Sequence, residues 1–285
     1  MRIKQSRTLS FIAVAIIYII CTLVGLGQYG YLPFSTPINL LIADTVATIV
    51  CFIFSLIFKN SSVYDPYWSV APIVIVIGYA IVNGLNSLGI VLLVAVCYWG
   101  IRLTANWAYT FKGLTHQDWR YTMLCEKTGK FYPIINFIGI HYVPTLVVYG
   151  CILPAVMVIE NKPEINVLSI IFACVSVAAA TMQGVADIQM HKYRKNKTTS
   201  FIRNGLWRNS RHPNYLGEIL MWWGIGLSVV CAMPNMWYLI FGAVANTVLF
   251  LSVSIPMADG RQSRKEGFAQ YKAETRMLLP IRKFK

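Results

Sequence analysis

Apolar residues run along this chain in eight long stretches, and short polar segments separate them. A helix that crosses about 30 Å of hydrocarbon needs roughly 20 residues, and each stretch approaches this length, although the third is short. The pattern predicts an all-α, polytopic transmembrane bundle of about seven or eight spans. We place them at Leu9 to Gly27, Ile38 to Phe58, Trp68 to Val82, Ser87 to Thr110, Pro133 to Ile159, Ile165 to Met190, Tyr215 to Cys231 and Met236 to Met257.

Positive charge gathers on one side when these spans are threaded back and forth through a bilayer. Of the 25 lysines and arginines, 23 lie before the first span, after the eighth, or in the second, fourth and sixth connections. Lys162 lies on the opposite side, and Arg102 lies within a span. Because cytoplasmic connections carry the excess of positive charge, we expect both termini in the cytosol.

The composition leaves no room for a separate soluble domain. Hydrophobic residues make up 56% of the 285 residues and charged residues only 13%, which predicts one membrane domain, residues 1–285, in the lipid bilayer. The net charge of +14 would suit nucleic acid only with a soluble basic domain or an RNA-binding motif, so no nucleic-acid partner is expected. Seven scattered cysteines lack the spacing of a zinc site, and we predict no metal.

The strongest local signal is the segment 204–218, which leads into the seventh span. Pro213 suits the first turn of a helix, so a helix is predicted to begin there. The free backbone N–H groups of that turn lie beside Arg208, Arg211 and His212. Such a combination of a helix N-terminus with cations predicts an anion site.

Polar side chains inside the spans mark a second candidate region, because an unpaired polar group is costly in lipid. At helical spacing, one stripe follows the predicted helix start and another lies on the sixth span, and Arg102 with Asn106 lies on the fourth. Pairing of Asp187 with Arg194 or Arg102 would be a purely structural alternative. The two stripes are Asn214, Glu218 and Trp222, and Gln183, Asp187, His191 and Arg194.

Together, Leu206-Trp207-Arg208, the run from Arg211-His212-Pro213 to Glu218, and the upstream Asp187 and Arg194 resemble the steroid 5-alpha-reductase-like family, in particular its uncharacterised bacterial-type branch. The resemblance covers most of the chain from Asp65 onward. It implies a membrane reductase that takes hydride from NADPH to reduce a C=C bond in a lipid-like or steroid-like enone. It also implies that residues 180–285 bind NADPH and that residues 1–110 face the hydrophobic substrate.

Individual positions follow from the resemblance. The implied cofactor contacts are Gln183, Asp187, Arg194, Arg208, Arg211, His212, Asn214, Tyr215, Glu218, Arg261 and Arg264, with Asp259 beside the last two. Arg102, Asn106 and Trp222 are expected to line the cavity.

A catalytic group must polarise the substrate carbonyl, and in the family a Glu and a Tyr do so. Asp65 stands at the glutamate position and Trp99 at the tyrosine position, so a hydroxyl from Tyr67 or Tyr98 is expected to assist Asp65. Asp65 before Pro66 is also typical of a helix N-cap, and both roles stay open.

Two other functions fit parts of the pattern. Membrane methyltransferases of the isoprenylcysteine or phospholipid type share an Arg-His-Pro-x-Tyr turn and bind S-adenosylmethionine there. A transporter or scaffold would bind no nucleotide, although the chain lacks broken-helix repeats. We expect a multi-pass integral membrane protein, located in the plasma membrane of a bacterium or in the endoplasmic reticulum of a eukaryote.

Overall fold

Eight helical segments in the described part of the chain are long and apolar enough to cross a membrane, as the sequence predicts. The computed structural model describes residues 2–197 and 199–281, so the last four residues of the basic tail lie outside it. The spans are α1 (Arg7–Tyr31), α2 (Thr36–Ile57), α3 (Ser61–Asn83), α4 (Ser87–Thr110), α5 (Trp119–Asn161), α6 (Val167–Lys195), α7 (Pro213–Ala232) and α8 (Pro234–Gln262). A short helix, Arg2–Gln5, precedes them, and α9 (Phe268–Glu274) follows.

Several spans extend past their predicted ends, because polar residues continue the helix beyond the apolar stretch. The sixth span was predicted to end at Met190, whereas α6 continues to Lys195. The predicted start at Pro213 is confirmed, with His212 non-helical before it. Asp65 lies inside α3 with helical backbone angles, and Pro66 rather than Asp65 precedes the α-helical part that begins at Tyr67, so the N-cap interpretation is wrong.

Two of the long spans contain a π-helical segment. In α5 it covers Asn136–Tyr142, and in α8 it covers Phe250–Ser254. Each segment ends two residues before a proline, Pro144 and Pro256. Proline lacks the N–H that would donate to the carbonyl four residues earlier in an α-helix, so the helix widens to the π form just before each proline.

Both described ends of the chain lie at one end of the bundle. Lys4 Nζ donates to Phe58 O at 2.8 Å, and Asn60 Nδ2 donates to Leu114 O at 2.7 Å. The Arg261 guanidinium lies 4.3 Å from the ring centre of Trp119, which joins the end of α8 to the start of α5. We call this the basic end, comprising residues 2–6, 58–60, 111–118, 194–212 without 198, and 261–281.

Glycines set the closest helix contacts. A β-carbon on Gly217 of α7 would lie 2.7 Å from Ala179 O of α6, so only glycine permits this approach. Likewise, a β-carbon on Gly242 of α8 would collide with the backbone of α5 at Gly150. Small residues that bring backbones together are the usual means of joining helices in a membrane. Here they draw α6 and α7 together around the candidate site.

Candidate functional site

Glu218 is the most enclosed acidic side chain among the described residues at the junction of α4, α6 and α7. It lies one turn after the start of α7 and is only 1% exposed. Its Oε2 accepts hydrogen bonds from Trp99 Nε1 and from Gln183 Nε2, and its Oε1 accepts one from Trp222 Nε1, each at 2.8 Å. Three N–H donors compensate for the loss of water around the carboxylate.

A series of polar contacts continues from Glu218 between α4 and α6 toward the basic end. Arg102 Nη1 pairs with Asp187 Oδ2 at 3.0 Å, one helical turn beyond Gln183. A further turn along, His191 Nε2 lies 2.6 Å from Asn106 Oδ1. The predicted face of α6 therefore meets the predicted polar residues of α4, and Asp187 pairs with Arg102 rather than with Arg194.

Several buried polar atoms at this junction lack a hydrogen-bond partner. They belong to three of the predicted site residues: Nε and Nη2 of Arg102, Oε1 of Gln183 and Oδ1 of Asn214. A buried polar atom without a partner costs about 1–3 kcal/mol, so such atoms are rare in protein interiors. Their presence together provides donors and acceptors for a polar ligand.

Four cations, Lys265 with Lys197, Arg261 and Arg194, act on one another at the basic end. The pKa of Lys265 is lowered by its partial burial and then by the positive charges of Lys197, Arg261 and Arg194. Arg194 and Arg261 are exposed. Like charges held this close repel one another, so a bound anion would stabilise the group. The sequence analysis assigned no role to Lys265 or Lys197, because their proximity to Arg194 and Arg261 is visible only in three dimensions.

Arg211 and His212 are buried and engaged with the end of α8. Both contact Asp259, Arg211 Nη2 at 3.2 Å from Oδ2 and His212 Nε2 at 3.0 Å from Oδ1. Arg211 Nη1 also donates to Thr275 O at 2.7 Å, just after α9. Tyr215 stacks on His212 with ring centres 5.2 Å apart. Their observed contacts brace the C-terminal segment, while Arg208 and Arg264, also predicted cofactor contacts, are exposed.

The three catalytic candidates are not brought together. Tyr121 Oη, not Tyr67 or Tyr98, donates to Asp65 Oδ1, at 2.7 Å. Tyr67 donates instead to Asp44 of α2 at 3.0 Å, and Tyr98 contacts only Thr181 on the outer surface. The sequence analysis assigned no role to Asp44 or to Tyr121, which stands 56 residues from Asp65.

Tyr215 links the Asp65 region to the polar junction. The charges of Arg120 and of Asp187 both act on its phenol group, and Arg120 also acts on Asp65. The electrostatic contacts of Tyr215 thus reach Asp187 at the polar junction and Arg120, which also acts on Asp65.

The comparison with protein families identifies the relationship of this chain. Residues 51–275 match the family described as Protein of unknown function (DUF1295), which is of the steroid 5-alpha-reductase-like type. The chain belongs to this family. No curated protein matches the chain, and no solved structure does. The matched region contains all of the residues that form the polar junction and the cation group.

Proposed function

We propose that this protein is a membrane-embedded, NADPH-dependent reductase of a C=C bond conjugated to a carbonyl in a lipid-like molecule. The observation that carries the proposal is the pairing of a buried polar junction, Glu218 with Gln183, Arg102 and Asn214, with four cations at the basic end. NADPH has a matching arrangement, since it carries an amide-bearing ring at one end and phosphates toward the other. The excess of positive charge at this end supports access from the cytosol.

The residues at the junction fit the nicotinamide end. Its carboxamide carries both N–H donors and a carbonyl acceptor, and Gln183 and Asn214 have unpartnered acceptor oxygens while Arg102 has unpartnered donors. Glu218 orients the Gln183 amide through their hydrogen bond and so determines which of its atoms faces the ligand. NADPH, when bound, would supply the hydride.

The cation group fits the phosphates and distinguishes this proposal from its main rival. Arg194, Lys197, Arg261 and Lys265 would hold the three phosphates of NADPH, which carry several negative charges. A methyltransferase needs S-adenosylmethionine, whose sulfonium is a cation and gains nothing from four others. The charge at the basic end therefore favours a reductase.

Asp65 and Tyr121 are the pair we propose for carbonyl polarisation. Reduction places negative charge on the carbonyl oxygen. Without substrate the single O–H of Tyr121 donates to Asp65, so we propose that this O–H turns to the carbonyl oxygen while a protonated Asp65 donates to the phenol oxygen and supplies the proton. The carboxyl of Asp65 holds the Tyr121 hydroxyl in place at 2.7 Å. The resemblance assigned the acid to Asp65, and the geometry favours Tyr121 as its partner in place of Tyr67 or Tyr98.

A thermal-shift titration of the purified full chain tests the cofactor. NADPH should raise the unfolding midpoint saturably, by an increment equivalent to about 2.7 kcal/mol at a hundred times Kd. NADH should act only at higher concentration, since it lacks the third phosphate. Glu218→Gln and Asn214→Ala should each weaken the NADPH effect while leaving membrane insertion unchanged. Stabilisation by S-adenosylmethionine with none by NADPH would establish the methyltransferase, and no response to either would favour a transporter or scaffold.

An activity assay separates binding from chemistry. With a panel of lipophilic enones, NADPH oxidation should fall on the order of a hundredfold in Tyr121→Phe, the usual range for a lost general acid, with NADPH affinity unchanged. Tyr98→Phe is the matched control, because its hydroxyl contacts Thr181 away from the site. Equal losses in both variants would contradict the assignment of Tyr121.

A further inference from the structure

An apolar cavity lies on the other side of α3 from the polar junction. Helices α1, α2 and α3 surround a cavity of about 310 Å³. Its α3 lining recurs at helical spacing from Tyr67 to Asn83, whereas Ser69 and Ile73 of the same helix face Gly100 of α4. Helix α3 therefore lies between this cavity and the polar junction, and Glu218 is not among the residues that line the cavity.

The shape of the cavity is a slot. Its lining runs the length of α3 from Tyr67 to Asn83, roughly 24 Å at 1.5 Å per residue. A volume of about 310 Å³ spread over that length is narrow, which suits one extended hydrocarbon chain. Ile81 and Val82, which line it, are 79% and 82% exposed, so one end of the slot opens on the lipid-facing surface.

One polar pair lies in the slot away from this opening. Tyr67 Oη donates to Asp44 Oδ1 at 3.0 Å, and Asp44 is only 8% exposed. Within the described residues no donor reaches the second oxygen, Oδ2. An intramembrane acid with half of its hydrogen-bonding capacity unused is costly unless a ligand completes it.

We propose that the slot binds a single-chain lipid that ends in a hydroxyl group, with the hydroxyl on Asp44 and the chain along α3. The free oxygen of Asp44 can accept a hydrogen bond, and a hydroxyl has one O–H to donate. An ammonium head has three N–H donors and would leave two of them unsatisfied there. A carboxylate head has no donor to give to that oxygen.

The slot can be closed without disturbing the fold. A β-carbon on Gly78, which lines the slot, meets no atom within 4 Å, so Gly78→Leu occupies the space the chain would take. Gly27 of α1 is equally open, but it is not among the lining residues, so Gly27→Leu is a matched control. Asp44→Leu removes the hydroxyl partner and keeps the side-chain size close.

Photolabelling of the full chain in phosphatidylcholine nanodiscs tests this inference. A hexadecanol that carries a mid-chain diazirine should label peptides of α1, α2 and α3, and excess hexadecanol should compete. Labelling should fall on the order of tenfold in Asp44→Leu, as expected for a lost hydrogen bond. It should fall by a similar factor in Gly78→Leu, because the added side chain fills the slot, and it should persist in Gly27→Leu.

Three outcomes would overturn the inference. Equal labelling by the matching diazirine alkane without the hydroxyl would show that bulk acyl chains fill the slot. Stronger competition by hexadecylamine than by hexadecanol would refute the hydroxyl head, and undiminished labelling of Gly78→Leu would refute the slot itself. None of these bears on stabilisation by NADPH, so a failure here is separate from a failure of the proposed reductase.

Discussion

Trp99 on α4 donates its indole N–H to the carboxylate of Glu218 on α7 across 2.8 Å. The two residues stand 119 positions apart in the chain, and both are almost completely buried. Trp99 therefore ties the first half of the bundle to the helix that carries the candidate cofactor site. Its ring also packs on Trp222, with ring centres 4.7 Å apart.

Replacing Trp99 by phenylalanine should destabilise the protein. The ring is largely kept, but one of three donors to a buried carboxylate is lost, which costs about 1–3 kcal/mol. The unfolding midpoint in detergent measures the effect. Trp237→Phe is the control, because Trp237 is 57% exposed and should change the midpoint little. Equal midpoints for the two variants would mean that water or a neighbour replaces the lost donor.

A methyl group on Gly217 should separate α6 from α7. The added β-carbon would lie 2.7 Å from Ala179 O, and overpacking of this kind costs about 1–3 kcal/mol. Gly217→Ala should therefore lower the unfolding midpoint and weaken NADPH stabilisation, since Gln183 and Glu218 would move apart. On the same helix, Gly226→Ala meets its nearest atom at 3.7 Å and should be tolerated. A tolerated Gly217→Ala would show that the helices can shift without cost.

Removal of the Arg211 side chain should release the C-terminal segment. Asp259 would keep its contact with His212 but lose the guanidinium of Arg211. Breaking a buried ion pair costs about 3–5 kcal/mol. Limited proteolysis should then cut near α9, and the unfolding midpoint should fall. Arg203→Ala breaks the exposed pair with Glu274 and should cost less than about 1 kcal/mol. Equal protease resistance in both variants would indicate that α9 is held by other contacts.

Lys265 should make stability depend on alkaline pH. Its folded-state pKa lies below the ordinary 10.5, so between those values the unfolded chain binds more protons and stability rises with pH. Lys265→Met should remove this rise and stabilise the ligand-free protein at neutral pH. It should also weaken the binding of NADPH more than the binding of NADH. Burial raises the pKa of Tyr271 to about 12, so Tyr271 also contributes to the alkaline pH dependence of stability. Subtracting the pH profile of Lys265→Met from that of the unchanged protein removes this contribution.

The control for this profile is Lys127→Met, which removes an exposed lysine of α5. Its profile should follow that of the unchanged protein, and its preference for NADPH over NADH should persist. An identical response of the two lysine variants would mean that the four cations do not act as one group.

Hydropathy and charge predicted the eight spans, the helix start at Pro213 and the shared face of Gln183, Asp187 and His191, because each depends on local spacing. Which apolar faces meet does not depend on local spacing, since both lipid-facing and protein-facing sides are apolar. The bonds from Trp99 to Glu218 and from Tyr67 to Asp44 were therefore not predictable. An arginine beside a helix start can pair either with a bound phosphate or with an acidic side chain elsewhere in the chain. Arg211 pairs with Asp259, which its local sequence does not reveal.

The pairing of Arg211 with Asp259 has a consequence for biosynthesis. The two residues are 48 positions apart, and Asp259 closes the last span, so during synthesis Arg211 emerges from the ribosome well before its partner exists. The bracing of α9, and with it the grouping of Arg261 and Lys265 beside Arg194, can form only after the final helix has entered the bilayer. A chain interrupted before Asp259 would therefore carry an arginine without its acidic partner at the start of α7.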